Sequence, residues 1–158
     1  MLNPLWLHRI THGFHNGHVP DVPRMMDYLI HILFACWLPH SATVGQRVVL
    51  GYGGLGIVIH GEAQIGDDVH IDQGVTIGGN ATERGVPTIG NGVYVGAGAK
   101  ILSPIVIGND TVIGANAVVV TDIPDHCVAV GVPARVIKRG VNVSTLLYHR
   151  RTNESQCP

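Results

Sequence analysis

The chain has 158 residues, enough for one ordinary domain with an appendage. An apolar share of 46% against 13% charged residues excludes a disordered chain, and a net charge of −1 excludes a global pull toward nucleic acid or an anionic membrane. Three cysteines without a spacing pattern (Cys36, Cys127 and Cys157) argue against a disulfide framework or a zinc cluster.

In chain order, two helices come first, forming a segment over 1–37. Trp6, Ile10 and Phe14 fall at helical spacing, and "GHVPD" makes the turn that follows. Asp21 is placed to cap a second helix with Pro23 in its first turn. Along that helix Met25, Tyr28, Leu29, Ile32, Leu33 and Cys36 form a stripe suited to docking on a partner. The segment "YLIHILFACWLP" is too short to span a bilayer, which takes about 20 apolar residues. The N-terminus lacks the basic-then-apolar order of a signal peptide, so a soluble cytoplasmic protein is expected. His8 and His12 lie one helical turn apart, a spacing able to chelate. No carboxylate or cysteine completes a set with them, His15 and His18 fall in the turn, and no metal is expected.

From Leu38 a period of six takes over: "IHGEAQ IGDDVH IDQGVT", then "IGNGVY VGAGAK ILSPIV IGNDTV IGANAV". Hexapeptide repeats of this kind predict a parallel β-helix over 38–138, mainly β, in which three short strands close a triangular coil. The leading aliphatics Ile65, Ile71, Ile89, Val95, Ile107 and Ile113 should point inward, with Val69, Val75, Val93, Ala99, Thr111 and Ala117 beside them. Small residues after the leading aliphatic suit corners with positive φ. Two insertions break the register, one around "GYGGLG" and one at "GGNATERGVPT", and should leave the coil as loops. Neither GxGxxG nor GxxxxGK[ST] is present, so the glycines do not make a nucleotide loop. The tail over 139–158 loses the period.

The run "GIVIHGEAQIGDDVHIDQGVTIGG", with "GAGAKIL" and "GVPARVIK" after it, resembles the serine O-acetyltransferase family, in particular a short branch associated with polysaccharide gene clusters. The resemblance implies a left-handed parallel β-helix, an exception to the right-handed crossover rule, assembled as a homotrimer. It implies acetyl-CoA as co-substrate in the groove between neighbouring β-helices and a small-molecule hydroxyl acceptor, serine foremost. Carried over by motif, Gly79, Ala97, Ala115 and Thr121 would line the pantetheine arm, and Arg135 and Lys138 would meet the nucleotide phosphates.

The chain departs from the family at two places. Where the longer enzymes carry an Asp-His pair before "GIVV", the histidine acting as base on the serine hydroxyl, this chain has Gly51 and Tyr52. Where they carry Arg-His-Pro in the long loop, it reads Gly85, Val86, Pro87. Acyl transfer still needs a base near the attacking oxygen. The residues leave three catalytic candidates: His60, at the outward second place of its hexapeptide; His70, just before a corner; and Tyr52, better suited to donate a hydrogen bond. Glu62 or Asp72 could orient an imidazole, and Glu83 and Arg84 could meet the acceptor or be plain solvated charge. Other readings stay open: a sugar acceptor in surface polysaccharide synthesis, a non-catalytic trimeric scaffold that binds acetyl-CoA, or a zinc carbonic anhydrase, for which His60 and His70 supply two of three histidines. The family's docking of the sulfhydrylase through a terminal isoleucine is not expected of a chain ending Gln156-Cys157-Pro158.

Overall fold

The computed structural model describes residues 3–16, 22–80 and 83–143, with side chains left undescribed at 13–16 and 22. Phe14, His15, His18, Asp21 and the tail beyond 143 therefore lie outside the described residues or side chains.

A strand of two residues can put only one side chain inside, so each hexapeptide spends two residues on a strand and four on a corner. Twelve strands of two or three residues wind into a left-handed parallel β-helix of about four coils. The first face stacks β1 (Thr43–Val44), β4 (Gln64–Ile65), β7 (Thr88–Ile89) and β10 (Val106–Ile107). The second stacks β2 (Val49–Leu50), β5 (His70–Ile71), β8 (Tyr94–Val95) and β11 (Val112–Ile113), then β13 (Cys127–Val130) and antiparallel β14 (Arg135–Arg139). The third stacks β3 (Val58–Ile59), β6 (Thr76–Gly78), β9 (Lys100–Leu102) and β12 (Val118–Val119).

All six leading aliphatics and all six of their companions named above are buried. At about 1.5–3 kcal/mol for each large aliphatic removed from water, this column holds the coils together. Thr111 is the polar member, and its hydroxyl is satisfied by the carbonyls of Asn109 and Pro124 at 3.2 and 3.1 Å.

The glycines after the leading aliphatics have a different reason from the expected one. None of Gly66, Gly90, Gly96, Gly108 and Gly114 has positive φ; the left-handed residues come two places later, at Asp68, Gly92, Gly98, Asp110 and Asn116. A Cβ on Gly96 would stand 2.7 Å from the Ala115 nitrogen, so close stacking of coils is what excludes a side chain there. Along the same edge as Gly66, side chains replace the missing strand bonds. Asp67, Asn91, Asn109 and Asp125 each accept from a backbone amide one coil below (Gln46, Asp67, Asn91 and Asn109) at 2.7–2.8 Å.

Before the coils lie α1 (Pro4–Asn16) and α2 (Val22–Phe34). Helical spacing is confirmed, but the buried side of α1 carries Leu5, Leu7, His8 and Thr11, while Trp6 is 58% exposed. On α2, Asp27 and Ile30 face inward and the stripe from Met25 to Leu33 is exposed; Cys36 lies past the helix end and is buried. Polar clips tie the helices to the first coil. His8 Nε2–H donates to the Pro39 carbonyl at 3.1 Å, His12 Nδ1–H donates to the His40 carbonyl at 2.7 Å, and Asp27 accepts from the His40 amide and ring at 2.9 and 2.7 Å.

Candidate active site

The two insertions leave the prism at different corners. Gly51–Gly54 follows β2 and forms a tight turn between the second and third faces; Tyr52 sits in left-handed backbone at φ 50° and is 82% exposed. The longer loop follows β6 and joins the third face to the first. Its base is fastened by Asn80, whose amide donates to the Ser103 hydroxyl at 2.5 Å and whose carbonyl accepts from the Glu83 amide at 2.7 Å.

Of the six residues expected to hold acetyl-CoA, four divide between the two edges of the third face and two lie on the second. Ala97 and Ala115 stack at the corner before β9 and β12, beside the glycine column Gly56, Gly74 and Gly98. Arg135 and Lys138 lie exposed on β14, the outermost strand of the second face, paired with Val130 and Val128 of β13. Gly79 and Thr121 lie on the opposite edge, at the corner after β6 and β12. Thr121 borders an open hollow of about 610 Å³ that Glu83, Arg84, Pro104, Ile105, Val120 and Asp122 also line. A Cβ on Gly79 would meet the Gly85 carbonyl oxygen at 3.0 Å, so the bare backbone is needed where the loop folds back. Slender, side-chain-free walls of this kind fit a pantetheine arm, and exposed guanidinium and ammonium groups fit phosphates.

The catalytic candidates also separate. His60 follows β3 below Gly78, at the long-loop edge; its ring is exposed, and Nδ1 accepts from the Glu62 amide at 3.2 Å. His70 opens β5 on the second face, where Nε2–H donates to Asp72 Oδ1 at 3.0 Å. The other carboxylate oxygen of Asp72 accepts from the Tyr94 hydroxyl at 2.5 Å, and the His70 and Tyr94 rings stack with centroids 5.2 Å apart. Sequence reasoning left Tyr94 out. The signal was present in the hexapeptide register: once the long loop is set aside, Tyr94-Val95 falls directly over His70-Ile71, and the two pairs are in register.

The N-terminal histidines do other work. His8 and His12 stack at 5.9 Å, and each spends a ring nitrogen on a backbone carbonyl. Among the described residues no group of three His, Cys, Asp or Glu side chains lies together as a metal site would need. Burial pushes the Cys36 thiol up to about 12, which removes its thiolate from consideration as a nucleophile.

A prism of hexapeptide coils, with glycine-lined corners and loops thrown out at two edges, defines the frame of a hexapeptide-repeat acyltransferase. Residues 87–121 match the bacterial transferase hexapeptide family (six repeats). Over 152 residues the chain is 36% identical to the serine acetyltransferase of Bacillus pumilus (strain SAFR-032), covering 94% of this chain and 70% of that one. It is 42% identical over 142 residues to that of Synechococcus elongatus, covering 88% and 58%. The serine acetyltransferase of Brucella abortus strain S19 superposes with a TM-score of 0.84 at 31% identity, covering 88% of this chain and 57% of that one. A serine acetyltransferase in complex with CoA superposes at 0.80 (35% identity; 85% and 55% covered), and the soybean enzyme complexed with serine at 0.81 (34%; 85% and 56%). The chain belongs to the serine acetyltransferase family. It spans a little more than half the length of these solved structures.

Proposed function

We propose that this chain transfers the acetyl group of acetyl-CoA to the hydroxyl of L-serine, through the β-helix over 38–138 and as a homotrimer. The observation that carries the reading is the division of four of the expected acetyl-CoA residues between the two edges of one face. A single chain cannot bring Ala97 and Ala115 against Gly79 and Thr121, because the third face stands between them. Two β-helices set side by side would join one copy's first edge to its neighbour's second. A groove would form between subunits, and three copies would close a ring. Relatives named serine acetyltransferase, one solved with CoA and one with serine, support the substrate pair.

The chemistry required is compact. The serine oxygen attacks the thioester carbon, its proton passes to a base, the C–O bond forms and the C–S bond breaks. The sulfur of CoA leaves as thiolate and takes a proton. Backbone amides of the glycine-rich corners are suited to receive the negative charge that builds on the carbonyl oxygen.

A sugar hydroxyl is the second reading, and one observation favours it. The long loop carries Gly85, Val86 and Pro87 where the resembling enzymes carry Arg-His-Pro, so the acceptor side of the groove is altered. Release of CoA thiol, followed with a disulfide dye, separates the readings. Serine-dependent release supports the first; release with a sugar or nucleotide-sugar alone moves the acceptor. Acetyl-CoA binding by calorimetry without turnover on any acceptor would leave a scaffold. Sedimentation equilibrium near three times 16.8 kDa supports the trimer.

A further inference from the structure

We propose that His70 is the catalytic base of this acetyl transfer, held ready by Asp72 and Tyr94; the assignment rests on the acetyl-transfer reading above. Three features of the second face carry it. The first is the tautomer. The Asp72 carboxylate accepts from Nε2, which fixes the ring proton there and leaves the Nδ1 lone pair free to take a proton. His60 is set the other way: its Nδ1 accepts from the Glu62 amide, so the proton sits on Nε2 and the ring offers a donor. Of the two histidines, only His70 has a carboxylate behind it and, among the described residues, a lone pair with no donor on it.

The second feature is the position of that carboxylate. The family's Asp-His pair belongs at the corner where this chain has Gly51 and Tyr52. A Cβ built on Gly51 would lie 2.8 Å from Asp72 Oδ1 and 3.2 Å from the Asp72 Cα. The acid that the corner lacks is therefore supplied from one coil further along, into the same space, and Gly51 is the residue that makes room for it. The third feature is rigidity. Asp72 spends its second oxygen on the Tyr94 hydroxyl, and the Tyr94 ring stacks on the imidazole at an interplanar angle of 29°. The His70 side chain keeps 32% exposure and Asp72 17%, open enough for a substrate yet partly shielded.

Tyr94 faces the ring from β8 and Asp72 from its own corner, and β2, on the other side, brings Val49. In the reaction His70 Nδ1 takes the serine hydroxyl proton as the oxygen attacks, and the imidazolium returns it to the departing sulfur. The Asp72 carboxylate, in contact with the ring, offsets the transient positive charge. Asp72 and Tyr94 are positioning residues; they touch the imidazole rather than the substrate.

The test uses the full chain, with thiol release measured against serine and acetyl-CoA. His70→Ala should lose at least about 100-fold in kcat, hold its acetyl-CoA affinity, and regain activity when imidazole is added to the buffer. His70→Gln still donates to Asp72 but cannot accept a proton, so it should fold and lose kcat to a similar extent. That variant decides the matter if His70→Ala fails to fold. Asp72→Asn and Tyr94→Phe should lower kcat, the first more than the second, with KM for acetyl-CoA unchanged. The assignment is overturned if His70→Gln retains kcat within about threefold, or if no His70 variant responds to imidazole while CoA affinity falls in parallel. If the native protein releases thiol only with a different acceptor, the serine reading fails and the same variants judge the base on that acceptor. If the native protein turns over no acceptor, both fall.

Discussion

His8 should give the protein an acid-labile anchor between its helices and its first coil. The residue is 2% exposed, and its Nδ1 is buried with no hydrogen-bond partner among the described residues. Burial pushes its pKa below the ordinary value, and His12 beside it adds to the effect; the Pro39 and Ala42 backbone and Asp27 oppose but do not reverse it. The neutral ring is thus favoured by the folded state, while the unfolded chain takes up a proton near its usual pKa of about 6.5. The stabilising difference is complete above about pH 6.5 and is lost as pH falls from there toward the folded pKa. The slope cannot exceed about 1.4 kcal/mol per pH unit, so His8 alone can remove at most about 2 kcal/mol by pH 5. Urea melts at pH 7.5 and 5.0, at one protein concentration and followed by tryptophan fluorescence, would read it. His8→Gln stays neutral throughout, and every other ionisable group is common to both proteins. Native protein should lose more stability than the variant between the two pH values. Parallel losses in the two proteins would refute the account.

Three further outcomes follow from the packing. Ile71 is fully buried in the column of leading aliphatics, so Ile71→Ala should cost about 2–5 kcal/mol in urea unfolding; a loss under about 1 kcal/mol would mean the coils relax into the void. Gly51→Ala should push Asp72 aside and lower kcat more than it lowers Tm, and unchanged turnover would show that the carboxylate's place at this corner does not matter. Cys36, with its thiol pushed up to about 12 and fully buried, should escape alkylation at pH 8 in the folded protein and react in denaturant, as peptide mapping would reveal; ready labelling of the native state would contradict the burial.

The sequence by itself determined the prism. A sixfold register leaves one solution in which every leading aliphatic and its companion turn inward, and each of the twelve expected positions is buried. The interruptions at Gly51–Gly54 and at the long loop were legible for the same reason, since extra residues cannot enter a coil without leaving it. Local pattern could not say which side of each helix faces inward. Both sides of α2 are apolar, and the choice was made by where Asp27 could reach His40. Nor could it say why glycine follows the aliphatic: the Gly96 contact lies with the next coil, 18 to 19 residues on, at Gly114 and Ala115. The site shows the limit most plainly. His60 and His70 look alike as outward residues of a repeat. What separates them is hydrogen bonding, to a neighbouring amide in one case and in the other to a carboxylate that Tyr94 holds from the next coil. Only the stacking of coils brings Tyr94 over His70 and aims Asp72 at the space above Gly51, because a solenoid's neighbours are a full turn apart in the chain and adjacent in space.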